Sequence, residues 1–371
     1  MNNWIINQLE ISHGKNAPLK AMEGLRGVAV FLVFLVHYSS LIEPWLTNNT
    51  LKISSFIYAF GHLGVDLFFI LSGYLIYGTI ITKQVFDTKK YIKRRCMRIY
   101  PTFLVIFLVY VLLSVLFPKE SKLPSELLPL LKYLIQNILL LPGMFDIKPM
   151  ITVAWSLSYE VFYYFLIPLL IFSLSMKRWK SVNRIIFWCF VAVFGFVITF
   201  MYGGPVRLLM FVSGILLYET HKINNIQFKW WGTTCFILSL IVFGFRTVID
   251  FNYHLSLMIV FILFFVFCLN AFSNYSTSAR WLIFSPLRWL GNMSYSYYLI
   301  HGLTLKFLFL ILPVFLSSTQ SHELIYYLLW IPFFMVTIVT SFILFILIER
   351  PMSILNKVKV GTISSESTRL T

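Results

Sequence analysis

The chain has 371 residues, 59% of them hydrophobic and 12% charged, with mean hydropathy +0.82 and a formal net charge of +16. Soluble domains carry about 25% charged residues, so a water-soluble globule is excluded, and no ten-residue alternation suggests a closed barrel. The positive charge, which in a soluble protein would suggest nucleic acid, is assigned to cytoplasmic loops, with no nucleic-acid partner.

The predicted class is all-α, a polytopic integral membrane protein with about ten transmembrane helices. Residues 1–20 read as a polar cytoplasmic segment without a cleavable signal, so the first helix serves as an uncleaved anchor. Spans are predicted near 24–43, 57–82, 99–117, 151–175, 184–201, 206–219, 231–249, 254–272, 289–316 and 324–349. The run 206–219 is short, which predicts tilt or a partly re-entrant course. The connection 118–150 holds five prolines and an apolar stretch, Leu127 to Leu141, suited to the membrane interface. Residues 21–356 form one transmembrane domain, and 357–371 a disordered cytoplasmic tail. With both termini cytoplasmic, 22 of the 30 lysines and arginines fall inside and 8 outside. Cys96, Cys189, Cys235 and Cys268 show neither a metal spacing nor a disulfide framework.

Ionisable side chains in a membrane are costly and mark candidate sites. The first helix holds Arg26 and His37, eleven residues apart on one face and separated by about 16 Å along the axis. Arg26 falls at the cytoplasmic edge. The second span brings His62, Asp66 and the run to Ser72-Gly73; the fourth brings Trp155-Ser156-Leu157-Ser158-Tyr159-Glu160. Counted inward from predicted outer helix ends, His37, Asp66 and Glu160 share a depth of about 10–14 Å. Each also has a structural reading: a membrane histidine is often a satisfied core residue, and both carboxylates could partner Arg26, Arg207 or backbone donors. The stretch Lys89 to Arg98 is either a topology signal touching anionic lipid or a grip on a phosphorylated cytosolic ligand. The ninth helix opens Gly291-Asn292-Met293-Ser294-Tyr295-Ser296-Tyr297-Tyr298-Leu299-Ile300-His301. Its aromatics suit a membrane belt, while His301 lies near mid-depth.

In order and spacing these motifs resemble the acyltransferase-3 family of membrane acyltransferases, which decorate bacterial envelope polysaccharides. The resemblance rests on Gly24-Leu25-Arg26-Gly27 with His37, on Gly64-Val65-Asp66-Leu67-Phe68-Phe69-Ile70-Leu71-Ser72-Gly73, on Arg95-Cys96-Met97-Arg98-Ile99-Tyr100-Pro101, and on Trp155 to Glu160. The run Gly291 to His301 and Glu349-Arg350-Pro351 add to it, so it covers residues 18–352. It implies a bacterial inner-membrane protein, an acyl-CoA donor, commonly acetyl-CoA, no permanently bound cofactor or metal, and a carbohydrate or lipid-linked glycan hydroxyl as acceptor. It makes His37 the catalytic histidine, Arg26 its essential companion, and Arg95 with Arg98 the donor-handling pair. Ser72, Tyr295 and His301 are secondary candidates. After Glu160 stands Val-Phe-Tyr where many relatives carry a second carboxylate. The hydrolase-like domain fused to some relatives is not found in this sequence.

The reaction requires a base for an alcohol and a place for thioester oxygen charge. His37 either deprotonates the acceptor or carries the acyl group itself, with Asp66 or Glu160 orienting the imidazole. The rival class is a transporter or exporter using the buried charges as a relay; against it, no inverted repeat or paired broken helices are seen.

Overall fold

The computed structural model describes residues 3–10, 17–223, 231–273, 276–316 and 323–355. The expected tail, 357–371, lies outside them, as does part of the N-terminal segment. The chain order is α1 (Asn3–Leu9), α2 (Ala17–Ile42), α3 (Asn48–Gly61), α4 (Leu63–Ile81), α5 (Thr88–Leu116), α6 (Leu127–Ile138), α7 (Trp155–Ser173), α8 (Ser181–Tyr202), α9 (Leu209–Ile223), α10 (Trp231–Phe245), α11 (Tyr253–Ala271), α12 (Thr277–Leu282), α13 (Ser285–Asn292), α14 (Ser294–Phe315), α15 (Glu323–Leu328) and α16 (Trp330–Leu344). A π-helical segment, Phe345–Leu355, follows. No strand occurs among the described residues.

Eight helical stretches among the described residues are long and apolar enough to cross a membrane, making this a multi-pass all-α membrane protein. The two remaining predicted spans appear as α9 and α10, each of 15 residues. At 1.5 Å per residue such a helix is about 22 Å long, short of a roughly 30 Å core. The second predicted span starts earlier than expected: Asn49–Ile81 forms one stretch of 33 residues, interrupted by a turn at His62. The basic stretch expected as a loop is helical from Thr88 onward, with Asp87 capping it through the Lys90 amide at 2.9 Å.

The chain packs as two compact units. The first comprises Met1–Lys83, Phe162–Ser294 and Leu305–Phe334. Here α2 packs against α3, α4 and α13, α9 lies along α4 and α8, and α10 along α11. Small residues permit these approaches. A Cβ at Gly24 or Gly27 would meet the carbonyl of Leu282 or Leu287, and one at Gly291 the carbonyl of Glu23. Between α4 and α9 the fit is reciprocal: Gly73 faces the Phe211 carbonyl and Gly214 the Ile70 carbonyl. Arg288 on α13 closes this packing. Its Nε donates to Glu23 on α2 at 2.8 Å, and its Nη2 donates to Glu10 just after α1. Trp289 Nε1 also donates to Glu10, at 3.0 Å, and Asn292 to the Leu9 carbonyl, at 2.9 Å. Burial by itself would raise the Glu10 carboxyl, but the bonds from Arg288 and Trp289 outweigh it and hold Glu10 below its ordinary range.

The second unit comprises Gln84–Val161, Tyr295–Thr304 and Met335–Thr371. Its α5 runs along the π-helical segment. The long connection closes on itself: Lys122 Nζ donates to the Pro149 and Met150 carbonyls at 3.0 and 3.3 Å, and the Met150 amide donates to Asn137 Oδ1 at 2.7 Å. Within it, α6 buries Tyr133 and Asn137 and exposes Leu127, Leu128, Leu131 and Ile135. That apolar exposed face suits a helix lying in a membrane interface.

Candidate active site

In the first unit α2 runs unbroken through Arg26 and His37, so the helical separation of about 16 Å applies. Both side chains are half-buried. The residues after His37 are anchored firmly: the Tyr38 hydroxyl donates to the Tyr326 carbonyl at 2.7 Å, and Ser39 Oγ lies 3.4 Å from the Tyr326 hydroxyl. The His37 end of α2 is therefore held by α15.

Asp66 is fully buried on α4, and its Oδ2 accepts from Arg207 Nη1 at 2.6 Å. Arg207 also donates to the His62 carbonyl at 3.1 Å and, through Nε, to the Tyr253 hydroxyl at 3.0 Å. At the turn the His62 carbonyl also accepts from the Val65 amide at 3.2 Å, so Arg207 adds a second donor to it. The expected common depth of Asp66 and His37 does not hold. Packing of α3 and α4 on α2 gives the register: Ser54 donates to the Ser39 carbonyl at 3.5 Å, Gly61 faces Leu32 and Val36, and Gly64 faces Ala29, Leu32 and Val33. Asp66 thus lies beside the Arg26 half of α2. The miscount came from placing the helix start at residue 57, when α3 adds more than two turns before it. Ser72 is half-buried, next to the Gly73 contact with α9.

In the second unit, Arg95 and Arg98 differ from the other basic residues around them. Lys89, Lys90, Lys93 and Arg94 are exposed, whereas Arg95 and Arg98, three residues apart on one face of α5, are half-buried. The Arg95 guanidinium sits 5.2 Å from the centre of the Tyr91 ring. The Tyr295 hydroxyl donates to the Ile99 carbonyl at 2.7 Å, tying α14 to α5 one residue past Arg98. Glu160 is half-buried, a turn after Ser156, whose hydroxyl lies 2.7 Å from that of Tyr298. His301 is fully buried, with Nδ1 2.8 Å from the Tyr297 carbonyl. That donation makes Nε2 its basic nitrogen.

Residues 19–350 match the family model described as an acyltransferase domain. The chain belongs to the acyltransferase-3 family. Two relatives are the O-acetyltransferase OatA of Staphylococcus aureus strain NCTC 8325, 29% identical over 179 residues (45% of this chain, 27% of the relative), and the peptidoglycan O-acetyltransferase OatA of Listeria monocytogenes strain EGD-e, 25% identical over 316 residues (76% and 48%). An uncharacterized protein of Haemophilus influenzae strain Rd is 34% identical over 130 residues (32% and 52%). The chain thus spans about half the length, or less, of the Staphylococcus and Listeria relatives. No solved structure matches it.

In this acyltransferase-3 protein, several motif positions have packing roles. The glycines flanking Leu25 and Arg26 admit the backbone of α12 and α13, so α2 can present Arg26 from a tightly held segment. Sequence reasoning missed the ion pairs that fix this frame. Arg184 on α8 donates to Glu219 on α9 at 2.6 and 3.1 Å, and Tyr77 on α4 donates to the same carboxylate at 2.5 Å. In the second unit Glu349 accepts from the Ser296 amide at 3.0 Å and its hydroxyl at 2.5 Å. Arg184 had counted only toward the inside bias, and Glu219 in a short apolar run was the available signal, since a lone carboxylate there requires a partner.

Proposed function

We propose that this protein is an O-acetyltransferase of the bacterial cytoplasmic membrane, moving acetyl from acetyl-CoA to a hydroxyl of an envelope carbohydrate. The family match over residues 19–350 carries the reading, and the relatives named O-acetyltransferase support it. His37 is its chemical centre. As a base it takes the hydroxyl proton while the oxygen attacks the thioester carbonyl, and the imidazolium returns that proton to the departing thiolate. As a nucleophile it instead holds the acetyl group between donor and acceptor. Arg95 and Arg98 hold donor phosphates, for which half-buried guanidinium forks are suited, and Arg26 is the companion of His37 on α2. Asp66, which the sequence offers for orienting the imidazole, is committed to Arg207.

The test is acetyl transfer by the purified protein in nanodiscs, with labelled acetyl-CoA and envelope glycan. Wild-type protein should label the glycan. His37→Gln, which hydrogen-bonds but cannot take a proton at neutral pH, should fall by about 10²–10⁴-fold, the usual loss for a general base. A well-folded His37→Gln protein transferring at near wild-type rate would remove His37 from the centre.

A further inference from the structure

Within the first unit a second set of polar groups surrounds the Phe243 ring. Arg207 and Arg246 lie with their guanidinium carbons 5.5 and 4.7 Å from its centre, and Arg246 also lies 5.0 Å from the centre of the Tyr253 ring. Phe243 itself is fully buried. Arg207 is engaged with Asp66, His62 and Tyr253. Arg246 is not similarly engaged: among the described residues its side chain makes no hydrogen bond or ion pair, and its Nε is buried without an acceptor. Asp250, four residues on, is exposed and forms no ion pair with it. Of the two guanidinium groups only Arg207 has a carboxylate partner among the described residues, and Asp66 Oδ1 is turned to no donor there. A partly buried charge left without a counter-charge is costly, and in a membrane protein it marks a site.

The cluster also has a position. Gly244 and Phe245 at the end of α10 pack against Phe56 on α3, and Ser54, two residues earlier, bonds to the Ser39 carbonyl on α2. The Arg246 end of the cluster is therefore level with the His37 end of α2 and far from the Arg26 end. We infer that Arg246, with Arg207 beside it, forms a subsite for an anionic group, a carboxylate or phosphate borne by the acceptor glycan. The inference rests on the acetyltransfer reading for the identity of its ligand, while the anion preference rests on the arginines alone. Planar guanidinium forks match such oxyanions, and the adjacent Phe243 and Tyr253 rings help keep the Arg246 fork oriented.

The experiment uses the full chain in phosphatidylcholine nanodiscs, a soluble oligosaccharide with one uronic acid per repeat, and the same oligosaccharide with its carboxyls reduced to alcohols. Binding is measured without donor, and acetyl transfer with it. Arg246→Gln should weaken binding and raise the acceptor KM about 10–100-fold for the acidic sugar, the range expected for a lost charge-assisted hydrogen bond, and less than twofold for the reduced one. Arg246→Lys should recover part of the loss. Equal affinity of wild type for the two sugars, or equal effects of Arg246→Gln on both, would overturn the subsite. So would acidic-sugar affinity that vanishes when phosphatidylglycerol replaces part of the phosphatidylcholine, because the arginines would then hold a lipid headgroup. If no sugar is acetylated but wild type alone binds the acidic one, the subsite stands and the acetyltransfer reading fails. If transfer proceeds with no charge preference, the reverse holds.

Discussion

At the scale of single residues, the buried ion pairs matter most, because removing one partner leaves a charge that the membrane interior does not solvate. Arg184 and Glu219 have side chains exposed by 5% and 0%. Glu219→Gln keeps the shape but strands Arg184, and should cost about 3–5 kcal/mol, the usual price of breaking a buried pair. Tyr77→Phe removes only the hydroxyl bonded to Glu219 and should cost about 1 kcal/mol. Denaturant titration of the two variants in mixed micelles checks both, and similar small losses would show the site to be wet. His37, Arg26, Arg95 and Arg98 stood out in the sequence because each is an ionisable group in or beside an apolar run. Arg207 drew attention as a possible partner, yet its actual partners depend on a turn at His62 that periodicity does not reveal. Arg246 drew none, since a terminal arginine after an apolar run resembles an ordinary end-of-span residue.

At the scale of elements, α5 carries a distinction that composition hides. If Arg95 and Arg98 act on the donor, Arg98→Ala should raise the KM for acetyl-CoA well above the change for the exposed Lys89→Ala, and lysine should replace Arg98 poorly for want of a bidentate fork. Equal, small effects in initial-rate assays would reduce the stretch to a topology signal. Docking of α1 gives a second test. Glu10 has a depressed carboxyl in the folded state, so its contribution to docking is fully present above the unfolded value near about 4.3 and is lost as pH falls through the lower folded value. Hydrogen exchange at residues 3–9 should rise on acidification through that window, and Glu10→Gln should show the raised exchange already at neutral pH. Most helices were legible from apolar runs alone. Their boundaries were not, because α3 is polar enough to pass for a loop and the first turns of α5 are dominated by lysine and arginine. The depth error at Asp66 followed directly from the first of these.

At the scale of the whole molecule, the 22-to-8 distribution of basic residues predicts which side each connection occupies. In a background lacking the native cysteines, single cysteines at positions in 83–87 should label only from the cytoplasm, and those in 118–124 only from outside. Labelling of 83–87 from outside would invert the assignment of donor and acceptor faces. A further consequence concerns how the chain is made. Asp66 and Arg207 are 141 residues apart in sequence. At roughly 5–20 residues per second, a ribosome needs about 7–30 s to progress from one to the other. Throughout that interval the hairpin carrying Asp66 has already been delivered to the membrane while its cation does not yet exist. The nascent protein must therefore shelter that side chain within the insertion machinery, or among waters at the bilayer boundary, until α9 emerges; chains stalled before Arg207 should be preferred substrates for membrane quality-control proteases.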